Sequence, residues 1–154
     1  MNRRLILSGA SALAVLAAMA ALSALAGTSP PQVQVFKSKT CGCCGAWVEH
    51  LRSAGFAVTV TDVDNTSAAR KRLGMPERFG SCHTATVGGY VLEGHVPASE
   101  VKRLLAQKTK ALGLAVAGMP AGSPGMETGG RLDPYKILLI DHAGRKSVYA
   151  SYPK

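Results

Sequence analysis

The sequence predicts a mixed α/β chain of the α+β type, and three observations carry that prediction. Short alternating apolar runs and stretches of helical periodicity follow one another as strand, helix, strand, helix, strand, strand, helix. Gly88-Gly89 joins two of those runs as the two-residue loop of a hairpin would. The length, 154 residues, suits one domain with one hydrophobic core.

The first 26 residues stand apart from that fold. Arg3 and Arg4 precede an uncharged apolar stretch from Leu5 to Leu25, and Ala24-Leu25-Ala26 is a small-x-small cleavage pattern. They read as a signal peptide, with export by the Sec route favoured over the twin-arginine route and a retained anchor as the competing reading. A linker over 27–32 contains Pro30 and Pro31.

Val33-Gln34-Val35-Phe36 alternates toward Lys37 and forms the first strand. A helix from Gly42 to Ser53 puts Trp47, Val48 and Leu51 on one face, with Gly55 as its stop signal. Phe56 to Val63 is the second strand, carried by Val58, Val60 and Val63. Asn65 or Thr66 caps a second helix ending at Leu73-Gly74. In it Arg70-Lys71-Arg72 reads as a solvated face. Thr84–Val87 and Tyr90–Glu93 are the hairpin strands, and Pro97 opens a third helix running to Lys108, with Val101, Leu104 and Leu105 inward.

The two strands joined by the first helix should be parallel with a right-handed crossover. The resulting β-α-β-α-β-β-α order is the arrangement of the thioredoxin fold. The core covers 33–108 of a domain spanning 33–154. Its extension, 109–154, starts with a loop that Gly and Pro punctuate from Gly118 to Met126 and ends in a second hairpin. Tyr135–Ile140 and Ser147–Tyr152 form that hairpin, which either extends the sheet or packs beside it.

Charge excludes little by itself. The chain has 18 basic and 9 acidic residues, a surplus that survives loss of Arg3 and Arg4. Basic surplus suits nucleic acid, but an exported chain with 5% aromatic residues has neither the compartment nor the stacking platforms for it. No nucleic-acid partner is expected, and membrane contact only during export.

The chemistry lies in Cys41-Gly42-Cys43-Cys44 and in Cys82, far along the chain. Structural crosslinking is a poor account of three thiols in four residues. A disulfide stabilises by closing a loop, and pairing within the trio closes almost nothing. The predicted topology brings the end of the first strand, the start of the third and the end of the fourth to one end of the sheet. Cys41, Cys43, Cys44, Cys82, His83 and His95 should therefore converge. The helix N-terminus there favours thiolate.

Three chemistries fit such a cluster. Cys41 and Cys44 form a Cys-x-x-Cys at a strand-to-helix turn, the layout of a thiol–disulfide oxidoreductase. Against it, Ser81-Cys82-His83 stands where such enzymes place a cis-proline, and Cys43 invites wrong pairing. A single zinc ion is served badly by adjacent Cys43 and Cys44. Soft thiolates that bridge several Cu(I) ions fit the crowding better. Met119 and Met126, in the Gly/Pro loop, offer thioether ligands; packing as apolar plugs is the competing reading. His83 and His95 complete or border the set. His50 reads as a surface residue and His142 as a turn residue.

Taken together, "CGCCGAWVEHLRSAGF", "GSCHTATVGGYVLEGHVP" and "GLAVAGMPAGSPGME" resemble the uncharacterised-domain family encoded in bacterial copper-resistance clusters, the CopG-type periplasmic proteins. The likeness runs from Val33 to Tyr152. It implies a thioredoxin-like fold, a periplasmic location and copper held by Cys41, Cys43, Cys44 and Cys82. It further implies a change between Cu(I) and Cu(II) and delivery to an efflux system or copper chaperone. Ala117 departs from the proline common there and touches only the loop. The expectation is a periplasmic copper-binding protein that sequesters Cu(I) as a small multinuclear cluster; whether it also turns over as an enzyme is not legible in the sequence.

Overall fold

A computed structural model describes residues 29–127 and 129–153. The predicted signal peptide, 1–26, lies outside them, as does the start of the linker.

Seven strands form one mixed sheet. In chain order the elements are β1 (Gln32–Lys37), α1 (Gly42–Ser53), β2 (Ala57–Asp62), α2 (Thr66–Arg72), a 3-10 turn (Glu77–Phe79), β3 (His83–Val87), β4 (Tyr90–Glu93), α3 (Ala98–Gln107), β5 (Gly113–Ala115), β6 (Tyr135–Ile140) and β7 (Lys146–Tyr152). The sheet order is β2-β1-β3-β4-β5-β6-β7. β1 runs parallel to β2 and antiparallel to β3, which pairs antiparallel with β4. The chain is thus α+β, and its first four strands have the neighbours expected from the order of elements. The terminal hairpin continues the sheet, and the link is β5. That strand pairs parallel with β4 and antiparallel with β6.

Strand alternation gives the sheet two apolar faces. On one face Val33, Val35, Ala85, Val87, Leu92, Leu114 and Ile137 meet Trp47, Val48 and Leu51 of α1 and Val101 and Leu104 of α3. On the other, Val91, Ala115 and Ile140 meet Met75 and Phe79 beside α2. α1 needs both its apolar stripe and this contact: twelve residues are marginal as an isolated helix. β2 lies at the sheet edge with most of its residues exposed, Val60 at 38% among them. Its valines supply β-propensity more than core.

Three expectations need correction. Pro97 is the N-cap of α3, with extended backbone at ψ 139°, and Ala98 is the first helical residue. Arg70 is not on a solvated face: it is 3% exposed, because it turns under α2 to meet Glu93, a fully buried carboxylate. His50 is half-buried, and its Nε2 accepts the Ala98 N–H at 3.0 Å, tying α1 to the start of α3. Burial lowers its pKa, which keeps it an acceptor. His142 lies exposed in the β6–β7 turn. Among the described residues no helix is long and apolar enough to cross a membrane.

Candidate metal centre

The site forms where three chain segments reach one end of the sheet. β1 ends at Lys37, and the Cys41 N–H donates to the Ser38 carbonyl at 3.1 Å, turning the chain into α1. Cys41 is the N-cap of α1, without a side-chain cap bond, and no acidic residue occupies the first turn. β3 begins opposite, with His83 in register with Lys37. β4 ends at Glu93, and the Val96 N–H donates back to the Gly94 carbonyl at 2.8 Å, a tight turn that presents His95.

Four sulfurs meet there. The Sγ atoms of Cys41, Cys43, Cys44 and Cys82 all lie within 4.8 Å of one another. Cys43 Sγ is 3.4 Å from Cys41 Sγ and 3.9 Å from Cys82 Sγ. Cys41 and Cys44 are joined as a disulfide, while Cys43 and Cys82 are free. Cys44 is buried; Cys41, Cys43 and Cys82 are half-buried, so the cluster has an edge open to solvent.

Cys82 also belongs to a second donor set with His83 and His95. Its Sγ is 3.4 Å from His83 Nδ1 and 3.3 Å from His95 Nε2. Each imidazole has its other nitrogen on a backbone carbonyl. His83 Nε2 meets Gly94 O at 3.0 Å, and His95 Nδ1 meets Pro124 O at 2.8 Å. A carbonyl only accepts, so those nitrogens carry the protons and the lone pairs of His83 Nδ1 and His95 Nε2 face Cys82. This is the arrangement by which a backbone acceptor fixes the tautomer of a ligating histidine. Burial, with His95 as a secondary cause, takes the His83 pKa down to about 3; burial lowers that of His95 as well. Both rings are therefore neutral donors at ordinary pH.

The Cys82 thiol differs from the helix-terminus expectation. Burial and the neighbouring Cys43 push it up to about 11. It stands on the β3 side, so desolvation outweighs the dipole of α1.

Rings support the donors from behind. Trp47 of α1 lies 4.3 Å from the His83 ring and donates its Nε1–H to Val96 O at 2.9 Å. His83 and His95 meet edge to face at 4.9 Å. The Gly/Pro loop covers the other side. Gly125 has φ +85°, and a Cβ there would meet Trp47 N at 2.8 Å and Cys43 O at 2.9 Å, so only glycine lets the loop rest on the first turn of α1. Its neighbour Met126 is half-buried, whereas Met119 is 53% exposed. The Gly125 N–H donates to Glu127 Oε2 at 2.6 Å, and the Glu127 charge acts on His95 and His50.

Nothing in the sequence pattern placed Glu93, Arg70 or Glu127 at the site. Thr84-x-Thr86 alternating with apolar residues masked a buried acid across the hairpin; the signal was Glu93 itself, a charge at an inward position of a strand.

The donor set contains thiols and neutral imidazoles and no carboxylate, a soft combination that suits copper or zinc over magnesium or calcium. The profile of a family of proteins of unknown function, DUF411, matches residues 79–126, which hold Cys82, His83, His95 and the Gly/Pro loop. No curated protein sequence matches the chain. Two solved structures do, both of a copper resistance protein CopG. One, form 2, is 44% identical, over 80% of this chain and 99% of that one, with a TM-score of 0.77. The other, form 1, is 43% identical, over 81% and 99%, with a TM-score of 0.76. With likeness of that extent and a cysteine cluster that can hold metal, the chain belongs to the CopG family of copper-resistance proteins.

Proposed function

We propose that the protein binds copper as cargo, in the Cu(I) state, as a small multinuclear cluster at Cys41, Cys43, Cys44 and Cys82. His83 and His95 complete the set, and Met119 and Met126 lend thioethers from the loop. The carrying observation is the crowding of four sulfurs within 4.8 Å. Adjacent Cys43 and Cys44 serve a single tetrahedral ion badly, whereas thiolates bridging several Cu(I) ions suit the crowding. The half-exposed sulfurs leave an edge where the cargo can exchange an electron between Cu(I) and Cu(II). The N-terminal pattern and the family support a periplasmic location after cleavage at Ala26, with delivery to an efflux system or a copper chaperone.

Anaerobic Cu(I) titration of the fully reduced protein tests this. More than one tightly held ion per chain, with the luminescence of solvent-shielded Cu(I)–thiolate, is expected. A single weakly held ion, or zinc that resists displacement by excess copper, overturns it.

The Cys41–Cys44 disulfide favours a second reading, thiol–disulfide oxidoreductase. The geometry around it weighs the other way. A third thiol sits 3.4 Å from Cys41 Sγ, and Cys82 replaces the proline that such enzymes set against the disulfide. Insulin reduction that is efficient and lost on Cys44→Ser would establish that reading.

A further inference from the structure

Arg70 and Glu93 are the one ion pair among the described residues with both side chains buried, 3% and 0% exposed, and both bond the main chain of one residue, Ser81. Glu93 Oε1 accepts the Ser81 N–H at 2.7 Å, and Arg70 Nη2 donates to the Ser81 carbonyl at 2.7 Å. Both main-chain groups of the residue before Cys82 are thus held by opposite charges in contact with each other at 2.9 Å. The pair is braced at its far ends. Thr84 Oγ1 donates to Glu93 Oε2 at 2.5 Å, and Arg70 Nη1 donates to Glu77 Oε1 at 2.6 Å and Ser67 Oγ at 3.1 Å. Gly80 makes room: a Cβ there would stand 2.9 Å from Arg70 Cζ and Nη1. On the other side, the Ser81 hydroxyl donates to Gly118 O at 2.6 Å, at the residue before Met119.

Core stability alone does not account for this construction. Burying two charges costs more than burying apolar groups of the same volume, and β4 could have closed the hairpin with a valine opposite Thr84. What the pair adds is direction: two charge-assisted bonds, one to each main-chain group of Ser81, immediately before Cys82 and the start of β3. We infer that Arg70 and Glu93 are positioning residues that fix Cys82 against the upstream sulfurs and, through Ser81, fix the Met119 end of the loop beside it. As a statement about metal this rests on the copper reading; as a statement about Cys82 it does not.

The test uses the full chain in variants that separate charge, hydrogen bonding and fold. Glu93→Gln keeps an oxygen to accept the Ser81 N–H and turns an amide N–H toward Thr84 Oγ1, which can accept it. Glu93→Leu keeps neither. Arg70→Lys keeps a charge but cannot reach Glu77, Glu93 and Ser81 O together. In the reduced, copper-free protein, alkylation of Cys82 relative to Cys43 is followed by mass spectrometry, with circular dichroism reporting the fold. Glu93→Leu and Arg70→Lys should accelerate alkylation of Cys82 while leaving Cys43 unchanged. They should also weaken Cu(I) binding by about ten-fold or more, as loss of supporting contacts around a metal does. Glu93→Gln should keep most of both properties. If folded Glu93→Leu, or folded Arg70→Lys where Glu93→Leu does not fold, alkylates Cys82 and binds Cu(I) as the parent does, the inference falls. Because the alkylation needs no copper, a parent protein that fails to bind Cu(I) would sink the copper reading and leave this measurement decisive on its own.

Discussion

His83 shows how much one side chain is asked to do. Its ring packs at a tilt against Trp47, donates its Nε2 proton to the Gly94 carbonyl and turns Nδ1 to Cys82, all without exposure to water. With a folded-state pKa of about 3 against an ordinary 6.5, the unfolded chain takes up a proton that the folded chain refuses between those values. Stability is therefore complete above about pH 6.5 and falls as the pH drops toward 3. The melting temperature of copper-free protein should decline across that window, with a shallower decline in His83→Gln, as read by calorimetry. Cys82 works in the opposite sense on binding. Its proton, held until about pH 11, must leave when a soft ion arrives. Apparent Cu(I) affinity should accordingly rise with pH through the neutral range in competition titrations, less steeply in Cys82→Ser, which should also lose most of the luminescence. The sequence made the cysteines and His83 easy to single out, since three thiols in four residues demand an explanation. Arg70 was hidden by its neighbours: three successive cations look like a wet surface, and nothing local says that the first of them points inward.

The elements were legible to within a residue or two wherever a pattern was long. α1, bounded by the cysteines and Gly55, has the limits its apolar stripe and stop signal indicate, and Gly88-Gly89 does close β3 onto β4. β5 escaped because three residues cannot display a period, and because its order comes from β4 and β6 on either side. Pro97 was misplaced by one position since proline has the same φ as cap or as first residue, and only ψ distinguishes them. At this scale α1 and the Gly/Pro loop act together. Gly125→Val would drive a side chain into Trp47 N and Cys43 O from a left-handed backbone. It should lift the loop, weaken Cu(I) binding by about ten-fold and leave the sheet intact by circular dichroism. Trp47→Ala should cost about 3–5 kcal/mol in denaturant unfolding, the usual penalty for emptying a large aromatic site, because Trp47 is fully buried in the main core.

The molecule as a whole owes its stability to the two-faced sheet and little to sulfur. The Cys41–Cys44 bridge spans a separation of three residues, so it removes little freedom from the unfolded chain. Reduction should leave far-UV circular dichroism unchanged and shift the unfolding midpoint only slightly. The four-strand half of this architecture was foreseeable from element order. The join to the last hairpin was not, since it is made by one short strand whose partners lie far away in sequence. That join has a practical meaning for anyone who would miniaturise the protein. A chain stopped after Leu112 would retain every cysteine and both imidazoles, yet it would lack Pro124, whose oxygen dictates which nitrogen of His95 is bare. Parts that look like ornament on a small scaffold thus set the chemistry at its far end, and shortening such a scaffold would preserve its inventory of donors while scrambling their aim.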